Sequence, residues 1–460
     1  MDIYKVGNTL PRVEFAYKPT RRRFLHAALT VPTAASMLPL LLPNEGKANT
    51  EGFPSGVIPE HAIQFTTPDK KDPGHKLVVI FMQGGLSFFD TFDPKTHSPF
   101  NQIETNAKGV HVTEILSPLA NQMDKFIIVN NLFSEIDSHP GSGAIVLTGS
   151  SKIINNDSSF YAKTVYTNPF IKFSELLTSQ ASKDIGYVVL HQNTVEPFGF
   201  KRSFPEPWGA TKFQDTEAIY SAFDTKKGGF VNPFAKNPDL CSERFRNRME
   251  LLETLDYHGH TLTGSSVERR DRVYHKAKSL MVGDFNTTFD LTSEPTENIE
   301  RYGDTTVGKQ FLLGRRMLER GARVVCLNDG NYDNHESLEG NMRFMIPRFA
   351  KALSALMDDI QKIDEKVFVA IVTEFGRTAT ITKKKGRDHW PNAFGMLVGG
   401  NCVDGGRVIG KTDESGKIKG NAFHASLVGE TLINLLGLGR FETRGDVITE
   451  KRFPFINLGV

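Results

Sequence analysis

The stretch KLVVIFMQGG, residues 76–85, decides the fold of this chain. Six consecutive apolar residues are followed at once by a polar residue and a pair of glycines. A short apolar run that is bounded by a turn signal is typical of a strand buried on both faces of a sheet. Such strands occur in parallel sheets covered by helices, so the segment favours an α/β protein.

Five further segments repeat this apolar pattern, and helical patterns separate several of them. The further candidate strands are residues 125–133, 187–191, 323–327, 366–373 and 394–398. Apolar residues at three- and four-residue spacing predict a helix over residues 346–363. A second predicted helix runs to about Arg320 and stops at Gly321, a residue that tolerates a left-handed C-cap. The pattern predicts an α/β fold with a mostly parallel sheet sandwiched by helices.

The composition is that of an ordinary globular protein, with 460 residues, 39% hydrophobic and 23% charged. We predict one α/β domain over residues 49–460, in which residues 155–302 form a helical insertion or cap. Fifty-five basic and 53 acidic residues give a net charge of only +2, so no nucleic-acid partner is expected. Three cysteines without a CxxC pair exclude a disulfide scaffold and a thiolate zinc site.

The N-terminal segment has the pattern of an export signal. Arg21, Arg22 and Arg23 precede Phe-Leu and an uncharged stretch at residues 27–42. This stretch contains two prolines and is shorter than the ~20 apolar residues of a spanning helix, so no permanent membrane anchor is expected. The arginines resemble a twin-arginine signal over residues 1–48, which implies the twin-arginine translocase as a partner and a periplasmic or extracellular location. The alternative is a buried N-terminal helix behind a basic tail.

Polar residues gather behind the predicted strands, at the edge where open α/β sheets bind ligands. Gly84 and Gly85 would allow an anion to approach the backbone closely, although a plain turn is an equal alternative. A helix predicted to begin near Ser142 would favour negative charge beside His139. A lone histidine in a turn is more often structural, and only its neighbours favour a functional role.

Two other clusters carry metal-binding and anion-binding residue types. Residues 328–336 include Asp333 and His335, a set of oxygen and imidazole ligands that suits Zn²⁺, Mn²⁺, Mg²⁺ or Ca²⁺. The alternative is a solvated acidic loop. Residues 373–378 and 386–391 supply two carboxylates, one imidazole and two guanidinium groups that could hold phosphate, sulfate or carboxylate. The candidate residues in these two segments are Glu374, Arg377, Arg387, Asp388 and His389. The alternative for the Asp388–His389 pair is a structural salt bridge.

The sequence resembles a family of bacterial exported proteins known as domain of unknown function 1501. The resemblance rests on GGLSFFDTFDPK (84–95), SHPGSGAIVLTG (138–149), FDLTSEP (289–295), QFLLGRRMLERGARVV (310–325), DNH (333–335), TEFGRT (373–378) and GRDHWPNAFGMLVGG (386–400). These motifs follow the family's order over nearly the whole chain that remains after the predicted signal segment.

The family is similar in turn to the alkaline phosphatase and sulfatase superfamily. This more distant resemblance implies an alkaline-phosphatase-like sheet and places the nucleophile position on His139, where no serine, threonine or cysteine stands. The superfamily's late Asp-His metal motif falls on Glu374 and Phe375, which removes a histidine ligand. The resemblance therefore implies one surviving metal site, formed by Asp333, His335 and His389 with Asp388 beside them.

The leading hypothesis is a periplasmic hydrolase-like protein that acts on a phosphate or sulfate ester with a divalent metal. His139, Glu374 and Arg377 are the catalytic candidates, and His139 could be a nucleophile, a general base or a further ligand. The anion-binding candidates, for a small-molecule or glycan substrate, are Gly84, Gly85, Ser142, Arg377 and Arg387. The alternative is a catalytically silent periplasmic binding or assembly protein, and a dinucleotide-binding oxidoreductase is disfavoured because G-x-G-x-x-G spacing is missing.

Overall fold

The apolar segments pair into one large sheet in a computed structural model of the protein. The structure describes residues 63–65, 74–148, 187–191, 218–224, 227–230, 285–437 and 441–443, with a few single positions between them. The strands are β1 (Ile63–Phe65), β2 (Lys76–Met82), β3 (Gln102–Glu104), β4 (His111–Thr113), β5 (Phe126–Phe133), β6 (Tyr187–His191), β7 (Ala218–Asp224), β8 (Gly229–Phe230), β9 (Val324–Asp329), β10 (Val367–Thr373), β11 (Gly376–Arg377), β12 (His389–Trp390), β13 (Phe394–Gly400), β14 (Arg407–Ile409), β15 (Lys411–Thr412), β16 (Ile418–Lys419), β17 (Phe423–His424) and β18 (Phe441–Thr443). The helices are α1 (His139–Thr148), α2 (Phe285–Thr288), α3 (Thr296–Tyr302), α4 (Thr306–Glu319), α5 (Leu338–Ile360) and α6 (Ser426–Leu435). Three segments are 3₁₀-helical: Phe88–Asp90, Glu114–Lys125 and Leu291–Ser293.

The central sheet has the strand order β14-β5-β13-β10-β2-β9-β6-β7-β8, and β17 also pairs with β5. The pairs from β10 through β2, β9 and β6 to β7 are all parallel. This confirms the predicted mostly parallel sheet. Strand β13 is an exception, because it runs antiparallel to both β10 and β5.

The two faces of the sheet carry separate apolar layers, as expected for strands that are buried on both sides. Val78 and Ile80 of β2 belong to the layer that includes α4 and α5. Val79 and Phe81 of the same strand belong to the layer that includes α1 and α6. Each fully buried Val, Leu, Ile or Phe side chain contributes roughly 1.5–3 kcal/mol to the stability of the fold. Strand β2 is buried on both faces, so its side chains stabilise both layers.

The predicted helices are present, with different bounds. Helix α4 ends at Glu319, and Gly321 follows with a φ of 93°, as expected for a glycine that ends a helix. Helix α5 begins at Leu338, eight residues before the predicted start at Ile346, because Leu338 and Met342 extend its buried stripe. It ends at Ile360, so Ile363 lies beyond it.

Part of the predicted cap belongs to the sheet itself. Strands β6 and β7 lie within residues 155–302 and extend the parallel sheet beyond β9. Most of the remaining range and the signal segment 1–48 lie outside the described residues, so the cap and the signal stay predictions. Within the described part of the chain, no helix is both long and apolar enough to cross a membrane.

The strand directions bring distant segments to one edge of the sheet. β2, β9 and β10 are parallel, so their carboxyl ends lie together. β5 is antiparallel to β13, which is antiparallel to β10, so β5 also ends at this edge and β13 begins there. The residues that follow four strands and those that precede β13 therefore meet, in agreement with the usual position of ligands in α/β sheets.

Candidate metal centre

Three histidine side chains converge on the carboxylate of Asp333. The Nε2 atom of His139 lies 3.4 Å from Asp333 Oδ2, and that of His389 lies 3.3 Å from Asp333 Oδ1. The Nε2 atom of His335 lies 3.0 Å from the same Oδ1 and 3.1 Å from His389 Nε2. Three imidazoles thus surround one carboxylate, and His139, Asp333 and His389 form the group whose ligand atoms lie close enough to share an ion.

An oxygen atom holds the Nδ1 side of each of these rings. His139 Nδ1 lies 2.5 Å from Glu374 Oε2, and His335 Nδ1 lies 2.9 Å from Asp388 Oδ1. His389 Nδ1 donates to the backbone carbonyl of Asp137 at 2.6 Å. A carbonyl oxygen only accepts, so Nδ1 of His389 carries a proton, and Nε2 is the ring nitrogen that faces Asp333. Histidines that bind metal ions are oriented in this way by an oxygen on the other ring nitrogen.

The spacing of the ligand atoms suits one metal ion. Two ligands of a tetrahedral Zn²⁺ at ~2.0–2.1 Å from the ion lie about 3.3 Å apart. The imidazole nitrogens of His139 and His389 lie 3.4 and 3.3 Å from Asp333, each next to a different oxygen of its carboxylate. The possible ligand atoms of His139, Asp333 and His389 all lie within 4.8 Å of one another. Without a proton or a metal ion between them, the facing nitrogen lone pairs of His335 and His389 would repel each other. The donor set therefore fits a divalent cation.

Tight backbone packing places these side chains. His139 is the first residue of α1, so this helix begins three residues earlier than predicted. Gly84 has a φ of 107°, and a Cβ at this position would lie 2.5 Å from the backbone nitrogen of Asp333. A Cβ on Gly386 would lie 1.9 Å from the carbonyl carbon of His335. Both glycines let two loops approach more closely than a side chain would permit.

Phe375 supplies an apolar wall that the sequence interpretation missed. Its ring is buried, and its centroid lies 5.0 Å from that of His139 and 4.4 Å from that of His389. The resemblance to the superfamily singled out this position only for the histidine that it lacks. The aromatic ring packs against two imidazoles and limits their rotation, which a motif comparison does not reveal.

The two predicted anion-binding arginines do not face an open site. Arg377 is buried and donates to the carbonyls of Gly84, Gly85 and Arg387 and to Asp333 Oδ1. Arg387 is completely buried and forms an ion pair with a different carboxylate, that of Asp90. All three nitrogens of each guanidinium have protein acceptors, and this placement does not fit the predicted role in anion binding.

Ser142 and Gly85 also have structural contacts in place of the predicted ones. The hydroxyl of Ser142 donates to the carbonyl of Glu374 at 2.5 Å and fastens α1 to the end of β10. A Cβ on Gly85 would lie 2.6 Å from the ring of Phe375, so this glycine makes room for the apolar wall. Ser142 therefore supports the centre through a hydrogen bond, and Gly85 supports it through close packing.

The charges around His139 keep its proton bound in the metal-free protein. Burial alone would lower the pKa of His139, but the carboxylates of Glu374 and Asp333 outweigh it and raise the pKa to about 9. Burial would raise the pKa of Asp333, yet hydrogen bonds from His139, His389 and Arg377 hold it well below its usual range. A metal ion would compete with this proton, because metal binding requires neutral imidazole.

We expect the metal-free protein to lose stability between pH 6.5 and about 9. The folded state binds the His139 proton more tightly than the unfolded state, so this contribution is full below about pH 6.5 and is lost as the pH rises through about 9. The loss should be at most about 3 kcal/mol. Urea unfolding of chelator-treated protein across this range measures it, and His139→Gln should flatten the dependence. Equal stability of the wild-type protein at both ends of the range would contradict the expectation.

Comparison with known proteins gives a family and distant structural neighbours. The C-terminal periplasmic domain of EptC from Escherichia coli, in complex with Zn, is 10% identical with a TM-score of 0.37, covering 82% of this chain and 86% of that one. An alkaline phosphatase superfamily protein from Vibrio parahaemolyticus is 11% identical with a TM-score of 0.35, covering 86% and 73% of the two chains. The lipoteichoic acid synthase LtaP from Listeria monocytogenes is 13% identical with a TM-score of 0.35, covering 84% of this chain and 78% of that one. No curated protein matches in sequence. The family model described as protein of unknown function DUF1501 matches residues 75–443, most of the chain, and the protein therefore belongs to this family.

Proposed function

We propose that this protein is an exported, metal-dependent hydrolase that cleaves a phosphate or sulfate ester. One observation carries the proposal: three imidazoles, each held through Nδ1 by an oxygen, direct Nε2 towards the carboxylate of Asp333. Imidazoles held through Nδ1 by an oxygen, with Nε2 turned towards a shared carboxylate, have the orientation of histidines that bind metal ions. The export step rests on the arginine motif at residues 21–25.

His139, Asp333 and His389 are the proposed metal ligands. Catalytic zinc sites commonly use three protein ligands and leave a further position open, which suits this group of three. A bound divalent ion supplies Lewis-acid polarisation of an ester oxygen. His139 thereby moves from the predicted nucleophile position to the ligand set, because Glu374 holds its Nδ1 and its Nε2 is directed towards the proposed ligand Asp333.

Glu374 acts as a positioning residue in this proposal. Its carboxylate is buried, Oε2 holds His139, and Oε1 has no hydrogen-bond partner. The negative charge favours the tautomer of His139 that carries its proton on Nδ1, which leaves Nε2 available for the ion. Such supporting carboxylates typically change metal affinity by about 10–100-fold.

His335 and Asp388, which the sequence placed among the metal-binding residues, form the proposed acid–base pair, because neither belongs to the group of three whose ligand atoms lie together. The side chain of His335 is 41% exposed, more than His139 at 15% or His389 at 22%. Asp388 holds its Nδ1, so Nε2 is directed towards the centre. In this position His335 can take a proton from the attacking water, while Asp388 stabilises the resulting imidazolium.

Metal analysis combined with ester hydrolysis tests the proposal. We expect the purified full-length protein, loaded with Zn²⁺ or Mn²⁺ and dialysed, to retain one ion per chain and to hydrolyse 4-nitrophenyl phosphate or 4-nitrophenyl sulfate. His139→Ala should remove both the ion and the turnover. His424→Ala is the matched control, since His424 also contacts a carboxylate, that of Glu135, but lies outside the cluster. A metal-free protein with no turnover would refute the proposal.

A catalytically silent binding protein is the second candidate, and the state of the arginines favours it. Arg377 and Arg387 are both buried and fully occupied by protein acceptors, so neither guanidinium reaches a bound ester. A protein that retains one metal ion but hydrolyses neither ester would support this alternative over the hydrolase.

A further inference from the structure

A cavity of about 650 Å³ is lined by Asp388 and Trp390, the residues on either side of His389 in the sequence. We call it the Trp390 groove; its lining also includes His97, Thr378, Thr380, Thr382 and Glu414. Its volume lies within the roughly 300–1,000 Å³ of typical ligand sites. Asp388 belongs to both the groove and the acid–base pair, because it lines the groove and also holds His335 Nδ1 at 2.9 Å. A ligand in the groove would therefore lie next to the acid–base pair.

Buried charges hold the walls of this groove in place. Arg387 forms an ion pair with Asp90, and both side chains are completely buried. The same guanidinium donates to the carbonyl of Thr378 on one wall at 2.9 Å and to that of His97 on another at 3.2 Å. Arg387 therefore connects two walls of the groove through hydrogen bonds, in place of the predicted contact with an anion.

The wall that contains Glu414 is held to the wall that contains His97 by side-chain and backbone hydrogen bonds. Glu414 accepts hydrogen bonds from the backbone nitrogen and the hydroxyl of Thr96 at 3.0 and 2.6 Å. The indole nitrogen of Trp390 donates to the carbonyl of Gly416 at 3.4 Å, which orients the ring at the groove. The groove is thus formed before any ligand arrives, and this lowers the entropic cost of binding.

The lining indicates what the groove can accept. Among the described residues, no lysine or arginine lines it, whereas Asp388 and Glu414 add two carboxylates. These carboxylates disfavour a polyanion such as a nucleic acid or a polyphosphate. Threonine hydroxyls and carboxylates suit a ligand with many hydroxyl groups, and the indole ring suits an apolar ring face. A pyranose ring combines a face of C–H groups with a rim of hydroxyls.

We propose that the Trp390 groove binds the sugar portion of the substrate, so the ester is a sugar phosphate or sugar sulfate. The single charged group lies at the metal centre, and the neutral ring lies against Trp390. This inference rests on the proposed hydrolase for the ester bond, whereas sugar binding in the groove does not depend on turnover.

Intrinsic fluorescence measures sugar binding without any reaction. The chain has two tryptophans, Trp208 and Trp390, so Trp208→Phe leaves the groove residue as the sole indole. We expect saturable changes of its emission when the metal-loaded full chain is titrated with neutral maltose, cellobiose or lactose. Glu414→Gln should weaken the response, and hexanol at the same concentrations is the control ligand.

A kinetic comparison measures the same preference during hydrolysis. Glucose 6-phosphate and glucose 6-sulfate are compared with hexyl phosphate and hexyl sulfate, which are also primary esters of a six-carbon group. We expect kcat/KM to favour the sugar esters by about tenfold or more, and Trp390→Ala to reduce that ratio by a similar factor while Trp390→Phe retains most of it. Metal content, measured on each variant, reports any disturbance of His389.

The two measurements separate the possible failures. Equal rates on sugar and hexyl esters, with no fluorescence response to sugars, would overturn the groove assignment while leaving a hydrolase. A fluorescence response without hydrolysis of any ester would support the groove and refute the proposed hydrolase. Absence of both responses in a folded, metal-loaded protein would overturn both.

Discussion

Replacing Asp333 by asparagine is expected to abolish stoichiometric metal binding and to destabilise the fold by about 3–5 kcal/mol. The amide keeps the size of the side chain and removes its charge. His139, His335 and His389 would then lose the anion on which they converge. The same change removes the carboxylate that contacts Arg377, whose side chain has no exposed surface. A buried guanidinium without its carboxylate partner accounts for most of the expected loss of stability.

Metal analysis and urea unfolding of the Asp333→Asn protein separate the two effects. Unfolding is measured with chelator present, so that loss of bound metal cannot account for the change in free energy. Asp388→Asn is the matched control, because this carboxylate also contacts an imidazole but is 63% exposed. It should leave the free energy of unfolding almost unchanged. An Asp333→Asn protein that retains one ion per chain at wild-type affinity would be incompatible with the proposed centre.

Breaking the ion pair between Asp90 and Arg387 is expected to destabilise the fold by a similar amount, about 3–5 kcal/mol for Arg387→Met. Neither side chain has exposed surface, and the guanidinium bonds to both carboxylate oxygens at 2.7 and 3.0 Å. The variant leaves the Asp90 charge in the interior, where the hydroxyl of Ser87 still donates to it at 2.6 Å. It also frees the carbonyls of Thr378 and His97 from their donors.

A double-mutant cycle isolates this interaction. Asp90→Asn combined with Arg387→Met removes both charges and should be less destabilised than the sum of the single variants. Arg343→Met is the matched control, since this arginine pairs with Glu114 at the surface and is 47% exposed. The control should be nearly neutral, because water screens exposed pairs. Strictly additive effects in the cycle would show that the buried pair is not coupled.

The strands were predictable because a strand that is buried on both faces needs a continuous apolar run. The six apolar residues 77–82 met that requirement, and they all lie in the observed strand Lys76–Met82. The direction of Phe394–Gly400 was not predictable in the same way. Its apolar run resembles those of the parallel strands, yet it pairs antiparallel with both of its neighbours. Burial selects the composition of a strand, whereas the path of the connecting chain sets its direction.

The candidate site was partly predictable for a related reason. Asp333, His335, Glu374 and His389 follow or flank strand ends, and parallel strands end at one edge, so their proximity was expected. The roles of Arg377 and Arg387 were not predictable, because an arginine can bind an anion or support a loop equally well from its sequence context. Their acceptors lie far away along the chain, up to 293 residues for Arg377 and 297 for Arg387.

The sequence by itself determined the family, the apolar strands and the residue types at the sheet edge, because each of these depends on local order along the chain. Only the tertiary structure decided which of these residues share a centre and which are buried as supports. His139 and Glu374 are 235 positions apart, yet they face each other at 2.5 Å. Burial, hydrogen-bond partners and charge neighbours are properties of the folded arrangement, and these three properties distinguish a metal ligand from a structural histidine.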